Sequence, residues 1–332
     1  MLKSLYSGVS GMKGFQTKLD TIGNNIANVN TIGFKKSRVM FQDIINQNIS
    51  GATAPTAQLG GSNPKQVGLG TKIGSIDTIH TPGSPMTTNV GTDLAIDGDA
   101  FFVVTPEAGG VNYLTKAGNF TRDANGNLVN SNGFFVSGVA VENPAAGSAP
   151  GTPATLHQIP INITVDGLSN RDAAGLVIND ANGNPTTPLK FTSYSIDANG
   201  YINVVREDGV SGKLAMVMDP TDPNHGRYYV NDTAANQNEN ISLATAVITN
   251  PGGLKKVGNT MFEETGNSGF SDFGRIENNK GGQISSGVLE MSNVDLTEEF
   301  TEMIIAQRGF QANARIITTS DSILEEVVNL KR

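Results

Sequence analysis

Both ends of the chain carry the same kind of apolar stripe, and nothing between them does. From Leu296 the apolar residues are Leu296, Phe300, Met303, Phe310, Ala314, Ile317, Leu324 and Val328, in steps of four and three broken only by Gln307 and Asp321. Such steps form a heptad seam along one side of a long helix. Leu2, Leu5, Val9, Met12, Leu19 and Ile26 repeat the pattern at the N-terminus, broken by Gln16 and Gly23. The spacing predicts an α+β chain. Its two ends form a terminal α-helical, coiled-coil-like core, with two nested β-rich domains between them.

The two stripes alone make a marginal stalk. Ordering a residue costs about 1–2 kcal/mol. A buried stripe side chain returns about 1.5–3 kcal/mol, and a backbone hydrogen bond about 1 kcal/mol net. Over the N-terminal helix these roughly cancel, and Gly8, Gly11 and Gly14 each subtract about 1 kcal/mol relative to Ala. Neighbours on other faces are needed. Phe15, Ile22 and Val29, with Ile304, Ile316, Ile323 and Val327, lie off the seams and supply such faces. The expectation is that the ends are loose in the monomer and order on assembly.

The C-terminal helix has a start signal. Asp295 precedes Leu296, with Glu298 three residues on in a capping-box arrangement. Glu298, Glu299 and Glu302 sit near the positive end of the helix dipole, and Lys331 and Arg332 at the negative end. At 1.5 Å per residue the helix runs on the order of 50 Å. The N-terminal helix is expected to fade through Asn24, Asn25, Asn28 and Asn30, with Gly33 as a left-handed cap.

The middle of the chain reads as short strands and turns. Of 332 residues 39 are Gly, and only 37% are hydrophobic and 16% charged, which suits tight turns between strands. Residues 35–45 read as a short extended segment, and 46–70, rich in Gly and Pro, as a linker-like arm. Asp93 to Val104 reads as strand, Asp-Gly turn, strand, and Tyr113 to Thr121 as one further strand. Asp-Ala-Asn-Gly occurs at 123–126, 180–183 and 197–200 and reads as a recurring hairpin turn. The Pro/Ala/Gly-rich stretch 143–154 marks a domain boundary. Four parts follow: residues 1–30 with 293–332 as the helical core; 31–70 with 280–292 as a connecting segment with an extended arm; 71–142 with 246–279 as an inner β domain; and 143–245 as an outer inserted β domain.

Chemistry finds little support. The net charge of −8 and the lack of a Lys/Arg cluster argue against nucleic acid. There is no Cys, hence no disulfide, thiolate metal site or cysteine nucleophile. His80, His157 and His225 are scattered. Asp97-Gly98-Asp99 reads as a turn rather than a cation site. The loop from Asp123 lacks the Gly and Glu that a calcium loop needs at its sixth and twelfth positions, which are Leu128 and Phe134. No catalytic, cofactor or metal residues are expected. No apolar run is long enough to cross a bilayer, and no secretory signal is read at the N-terminus. Alone, that points to the cytosol or to export without cleavage.

The ends then become recognisable. Ser7-Gly8-Val9-Ser10-Gly11-Met12 and Ile22-Gly23-Asn24-Asn25-Ile26-Ala27-Asn28-Val29-Asn30-Thr31-Ile32-Gly33-Phe34-Lys35 resemble the N-terminal signature of the flagellar axial rod and hook family. Asp93-Leu94-Ala95-Ile96-Asp97-Gly98, Phe101-Phe102-Val103-Val104 and Ala117-Gly118-Asn119-Phe120 resemble its central motif. Asn293-Val294-Asp295-Leu296 and Ala306-Gln307-Arg308-Gly309-Phe310 resemble its C-terminal signature. The matches bracket the chain, leaving out only 46–66 and 145–245. Within the family the inserted segment 145–245 favours a hook-type subunit, with a distal-rod-type subunit as the alternative.

The resemblance implies a non-enzymatic structural subunit of a curved helical tube that transmits torque. Terminal helices form the tube's inner core and β domains face outward. Partners would be further copies of the chain, the distal rod protein, the hook cap protein, the hook–filament junction protein and the flagellar type III export apparatus. Nucleic acid and membrane insertion have no part in it. The location would be the flagellar hook, outside the cell, reached by unfolded export without a cleaved signal. The assembly residues expected are Leu5, Val9, Met12, Leu19 and Ile26 with Phe300, Met303, Phe310, Ile317 and Leu324. Phe41 and Ile45 resemble an export motif, or else pack in a small core. A glycan-active enzyme would instead need convergent carboxylates or aromatic platforms, and Trp is absent. A coiled-coil adaptor would need a stable monomeric stalk.

Overall fold

The computed structural model describes residues 2–55, 60–107, 110–141, 156–161, 163, 191–206, 209–217, 228–231, 239–269, 271–279 and 281–330. The 143–154 boundary, the turn at 180–183, His225 and the Lys331-Arg332 pair lie outside them. In chain order, α1 is Leu2–Ala27, and β1 to β4 are Ser37–Asp43, Asn46–Ser50, Lys65–Gly68 and Thr71–Thr78. Strands β5 to β11 are Pro85–Thr87, Leu94–Asp97, Phe101–Thr105, Tyr113–Thr115, Thr121–Arg122, Leu128–Val129 and Phe135–Val141. Strands β12 to β17 are Leu156–Pro160, Phe191–Ile196, Ile202–Arg206, Ser211–Met216, Tyr228–Asn231 and Ser242–Ile248. Then come β18 to β20 (Lys255–Gly258, Met261–Glu263, Ser271–Arg275), α2 (Ile276–Asn279), β21 and β22 (Gln283–Ser286, Val288–Glu290) and α3 (Leu296–Asn329).

The chain divides into two compact units. The first comprises Met1–Asn30, Lys35–Thr81 and Asn293–Arg332; the second comprises Thr31–Phe34 and Pro82–Ser292. The first unit is the helix pair α1 and α3 with a two-stranded ribbon. In the ribbon β1 pairs with β4, and β2 with β3, both antiparallel. Ile44 N donates to Gly70 O at 3.0 Å, and the isolated bridge Thr53↔Ser62 carries the pairing further. Residues 46–70, expected as a linker, are therefore largely ribbon. Period-2 patterning is weak there because the ribbon buries neither face: β2 and β3 are exposed throughout.

The second unit is β-rich. Its main sheet has ten strands, including the run β18-β19-β8-β7-β17-β11-β10-β9. Strand β7 is buried along its whole length. Phe102 and Val104 face one apolar cluster, while Phe101 and Val103 face another. A strand buried on both faces reads as a continuous apolar run, as Phe101 to Val104 does. A second sheet, β13-β14-β15-β16, lies in the segment expected as an outer domain. Ile196, Ile202, Val204, Leu214 and Val230 from this sheet join Leu94, Phe102 and Ile284 in one cluster. The segments expected as separate inner and outer β domains thus share a core among the described residues.

Two local expectations change. Asp97-Gly98 does not close a hairpin. Strand β6 pairs with β21, whereas β7 pairs with β8, β11 and β17. Gly98 has φ 152° and lies against Gly281 and Gly282, so the chain turns a corner between sheets. Nor is Tyr113 to Thr121 one strand. It breaks into β8 and β9 because Gly118 crosses closely over Leu94.

The Asp-Ala-Asn-Gly turns at 123 and 197 do close hairpins, β9–β10 and β13–β14. Asp123 Oδ1 accepts from the N–H of Asn125 and Asn127 at 2.9 and 2.7 Å. Asp197 Oδ1 accepts from Asn199 and Tyr201 at 3.0 and 2.9 Å. In both turns the carboxylate accepts from the backbone; at Asp123 the Asn127 side chain also donates Nδ2 to Oδ2 at 3.0 Å, and that bond, ahead of the backbone ones, holds the carboxyl below the usual range.

Candidate functional site: the terminal helix pair and its strand junction

Helices α1 and α3 pack antiparallel. Rising positions on α1 meet falling positions on α3: Gly8 lies by Ile317, Gly11 by Asn313, Phe15 by Gly309, Lys18 by Glu302 and Asn25 by Glu299. The contact takes in part of the apolar seam read on α3, where Ile317 lies against Gly8, and off-seam residues besides. Gly8, Ile22 and Asn25 are buried on α1, and Glu299, Ala306 and Ser320 on α3. The expected positions are only part-covered. Leu5, Met12, Leu19, Ile26, Met303, Phe310, Ile317 and Leu324 are intermediate, while Val9 and Phe300 are exposed, Phe300 at 50%. Glycine and small polar residues let the backbones approach, and ion pairs and amides line the contact.

The glycines that dilute α1 in the sequence are contact points. A Cβ on Gly11 would meet Asn313 Nδ2 at 3.0 Å, and one on Gly14 would meet Phe41 Cε1 at 2.7 Å. A Cβ on Gly309 would lie 2.6 Å from Phe15 Cζ. Gly23, by contrast, has open space around it. These facts predict opposite signs for one substitution type. Gly23→Ala is expected to stabilise the helix pair by about 0.5–1 kcal/mol through helix propensity. Gly309→Ala gains the same propensity but must displace the Phe15 ring, at a cost of about 1–3 kcal/mol. Denaturant unfolding followed by helix circular dichroism reads both, and the same sign for the two variants would contradict the packing.

Side chains of the signature tie the helices to the ribbon. Asn25 Nδ2 donates to Ser37 O at 2.9 Å and its Oδ1 accepts from Ser37 N at 3.0 Å, so the amide mimics a ladder partner for β1. Asn293 does the same at the other helix. Its Oδ1 accepts from Lys36 N at 2.8 Å, and its Nδ2 donates to Ile79 O at 2.9 Å and to Thr81 Oγ1 at 3.0 Å. Buried backbone groups need such partners. Asp295 caps α3 as expected, its Oδ1 accepting from Thr297 N at 2.8 Å and Glu298 N at 3.4 Å. Those two bonds hold its carboxyl below the usual range. Val294 is buried, and Gln307 and Arg308 are exposed on α3. Asn24 Oδ1 accepts from Asn28 Nδ2 at 2.9 Å, and Ala27 is exposed.

Gly33 is left-handed, with φ 68°, but lies six residues beyond α1 and is not its cap. It serves a close approach in the second unit: its N–H donates to Glu290 O at 2.8 Å, and a Cβ would lie 2.5 Å from Ala117 N. There the Lys256 ammonium is 5.0 Å from the Phe34 ring centroid. Phe41 packs on Phe15, with ring centroids 5.7 Å apart, while Ile45 is 79% exposed. Only Phe41 of that pair has a packing role here.

Three of the off-seam residues read from the sequence, Ile316, Ile323 and Val327, line up with Ile305 as a second apolar strip on α3. At 3.6 residues per turn Ile305, Ile316, Ile323 and Val327 fall within about 40° of arc. They are 54%, 45%, 43% and 50% exposed. Ile305, eleven residues before Ile316, is the member that the seven-residue template left out. Among the described residues no helix is long and apolar enough to cross a membrane.

Family profiles match at both ends and in the middle: "Flagella basal body rod protein" over residues 5–35, "Flagellar hook protein FlgE/F/G D1 domain" over 95–204, and "Flagellar basal body rod FlgEFG protein C-terminal" over 285–330. The flagellar basal-body rod protein FlgG of Bacillus subtilis is 40% identical, with 100% of each chain covered. The flagellar hook protein FlgE of Borreliella burgdorferi is 35% identical, again over 100% of each, and FlgG of that organism is 33% identical over 100% of each. A rod-named relative spans the whole chain, so segment 145–245 does not by itself separate hook from rod. The chain belongs to the FlgE/F/G family of flagellar hook and basal-body rod proteins, structural components of the flagellum.

Proposed function

We propose that the chain is a hook-type subunit that self-assembles into a curved tube and transmits torque from rod to filament. The observation that carries self-assembly is the exposed apolar strip on α3, Ile305, Ile316, Ile323 and Val327. Contiguous exposed apolar surface marks an interaction site. A contact repeated by a rotation that does not close makes a filament. The part-exposed seam residues Leu5, Val9, Met12, Leu19 and Ile26, and Phe300, Met303, Phe310, Ile317 and Leu324, supply a second face for neighbouring copies. In this reading the tube joins the distal rod protein below and the hook cap and hook–filament junction proteins above. Its subunits leave the cell unfolded through the type III apparatus, for which Phe41 and Ile45 are the candidate recognition pair.

Support for hook over rod is the full-length similarity to a hook protein. A distal-rod subunit is the second reading, favoured by the equally complete match to rod proteins and by the β1–β4 ribbon, an extended arm of the kind that stiffens rods. Electron microscopy of the purified full-length chain under polymerising conditions decides. Curved tubes are expected. Straight stiff tubes would select the rod reading, and a chain that stays monomeric at high concentration would overturn both.

A further inference from the structure

We propose that Glu299 is a proton-operated latch that joins the first turns of α3 to the α1–β1 junction, loose when ionised and tight when protonated. Glu298, Glu299 and Glu302 leave the start of α3 and line a cavity of about 200 Å³ opposite Lys18 of α1, Lys36 just before β1 and Arg38 of β1. Two of these carboxylates have an ammonium partner. Glu298 is 2.7 Å from Lys36 Nζ, and Glu302 pairs with Lys18. Arg38 is turned to Asp77 of β4, at 4.0 Å.

Glu299 is the most buried of the three, at 6% exposure, and its partner is a neutral amide. Asn25 Nδ2 reaches Glu299 Oε2 at 3.2 Å while giving its shorter bond, 2.9 Å, to Ser37 O. An ionised Glu299 is therefore a buried charge on a shared neutral donor, flanked by two like charges. Such a charge is costly without a direct counter-ion. A proton removes that cost and leaves the Asn25 contact in place.

Burial pushes the Glu299 carboxyl above the ordinary glutamate range, with Asn25 and Lys36 pulling it partly back and Glu298 and Glu302 pushing it up. A group raised in the folded state binds its proton there first. Its stabilisation is complete below the unfolded-state value and is lost as pH rises through the folded one. Asp295, at the same helix end, has its carboxyl lowered and so acts in the opposite sense: its stabilisation is lost as pH falls. The latch is a property of the monomer. Only its consequence, pH-dependent docking of the helices during tube growth, rests on the assembly reading.

The test is amide hydrogen exchange of the full-length monomer, corrected for intrinsic rates, at about pH 7 and about pH 5. Wild type and Glu299→Gln are compared in an Asp295→Asn background, which removes the opposing carboxylate. The parent is expected to gain protection at the start of α3 and in β1 on acidification. Glu299→Gln is expected to show that protection already at neutral pH, with no further gain. A Glu299→Gln protein that keeps the parent's pH dependence overturns the latch, as does a parent that shows none. Should the variants not fold, carboxyl NMR titration of the wild-type chain reads the same point. A Glu299 midpoint above the ordinary glutamate range is expected, and one within or below that range overturns the proposal. Tube formation is scored separately, so failure of assembly leaves the monomer measurement standing.

Discussion

Ile323→Asp is expected to leave the monomer folded and to abolish tube formation. Ile323 is 43% exposed on α3 and lies in line with Ile305, Ile316 and Val327. In the monomer the change is a surface substitution, worth less than about 0.5 kcal/mol. In a polymer it removes about 1.5–3 kcal/mol of apolar burial per copy and adds the several kcal/mol of desolvating a carboxylate. At about 1.4 kcal/mol per tenfold, contact between copies weakens on the order of a thousandfold or more. Sedimentation and electron microscopy read assembly, and thermal unfolding reads the monomer. Normal tubes from this variant would remove the strip from the interface. Ile317→Asp is a less clean probe, because Ile317 Cγ1 lies 3.4 Å from where a Cβ on Gly8 would stand. A charge there strikes the helix pair of the same chain.

Gly118→Ala is expected to cost the second unit more than about 3 kcal/mol, enough to unfold a marginal domain. A Cβ at this position would stand 1.7 Å from Leu94 O and 3.2 Å from Phe102 Cε2. Neither obstacle is the free end of a flexible chain. Leu94 is in β6 and fully buried, its own N–H donates to Gly118 O at 3.0 Å, and Phe102 is central to β7 and packs edge-on against Phe120. Moving the backbone apart breaks the Leu94–Gly118 bond and opens the core. Denaturant unfolding followed by tyrosine fluorescence measures the loss. A variant within about 0.5 kcal/mol of wild type would mean that the crossing can relax, contrary to the packing around it.

Particular elements show where sequence reading stops. The Asp295 cap was legible because a cap is settled by a side chain and the N–H groups two and three residues away. The Asp123 and Asp197 turns were legible for the same reason. The partners of β6 were not. Asp97-Gly98 is a sound hairpin signal locally, but β6 bonds to β21, nearly two hundred residues on. That pairing depends on which buried surfaces meet, and no short pattern encodes it. The signature asparagines stood out in the sequence as a likeness to a family, yet their work was invisible there. Asn25 pairs with the backbone of β1 at Ser37, and Asn293 with Lys36 and Ile79 at the ends of β1 and β4, which requires the strands' position in space.

For the terminal helices the division is sharper. By itself the sequence determined that both ends are helical, where α3 begins, and which family the chain resembles, because helix periodicity, caps and signature residues are local. Only the tertiary structure decided which faces meet. The helices touch through Gly8, Gly11, Gly309 and the polar pairs of Lys18 and Asn25, leaving the apolar seams part-covered and a further strip exposed. An apolar stripe says only that a face seeks cover. Close approach of two backbones needs missing side chains, and whether a missing side chain is a weakness or a contact depends on what lies opposite it.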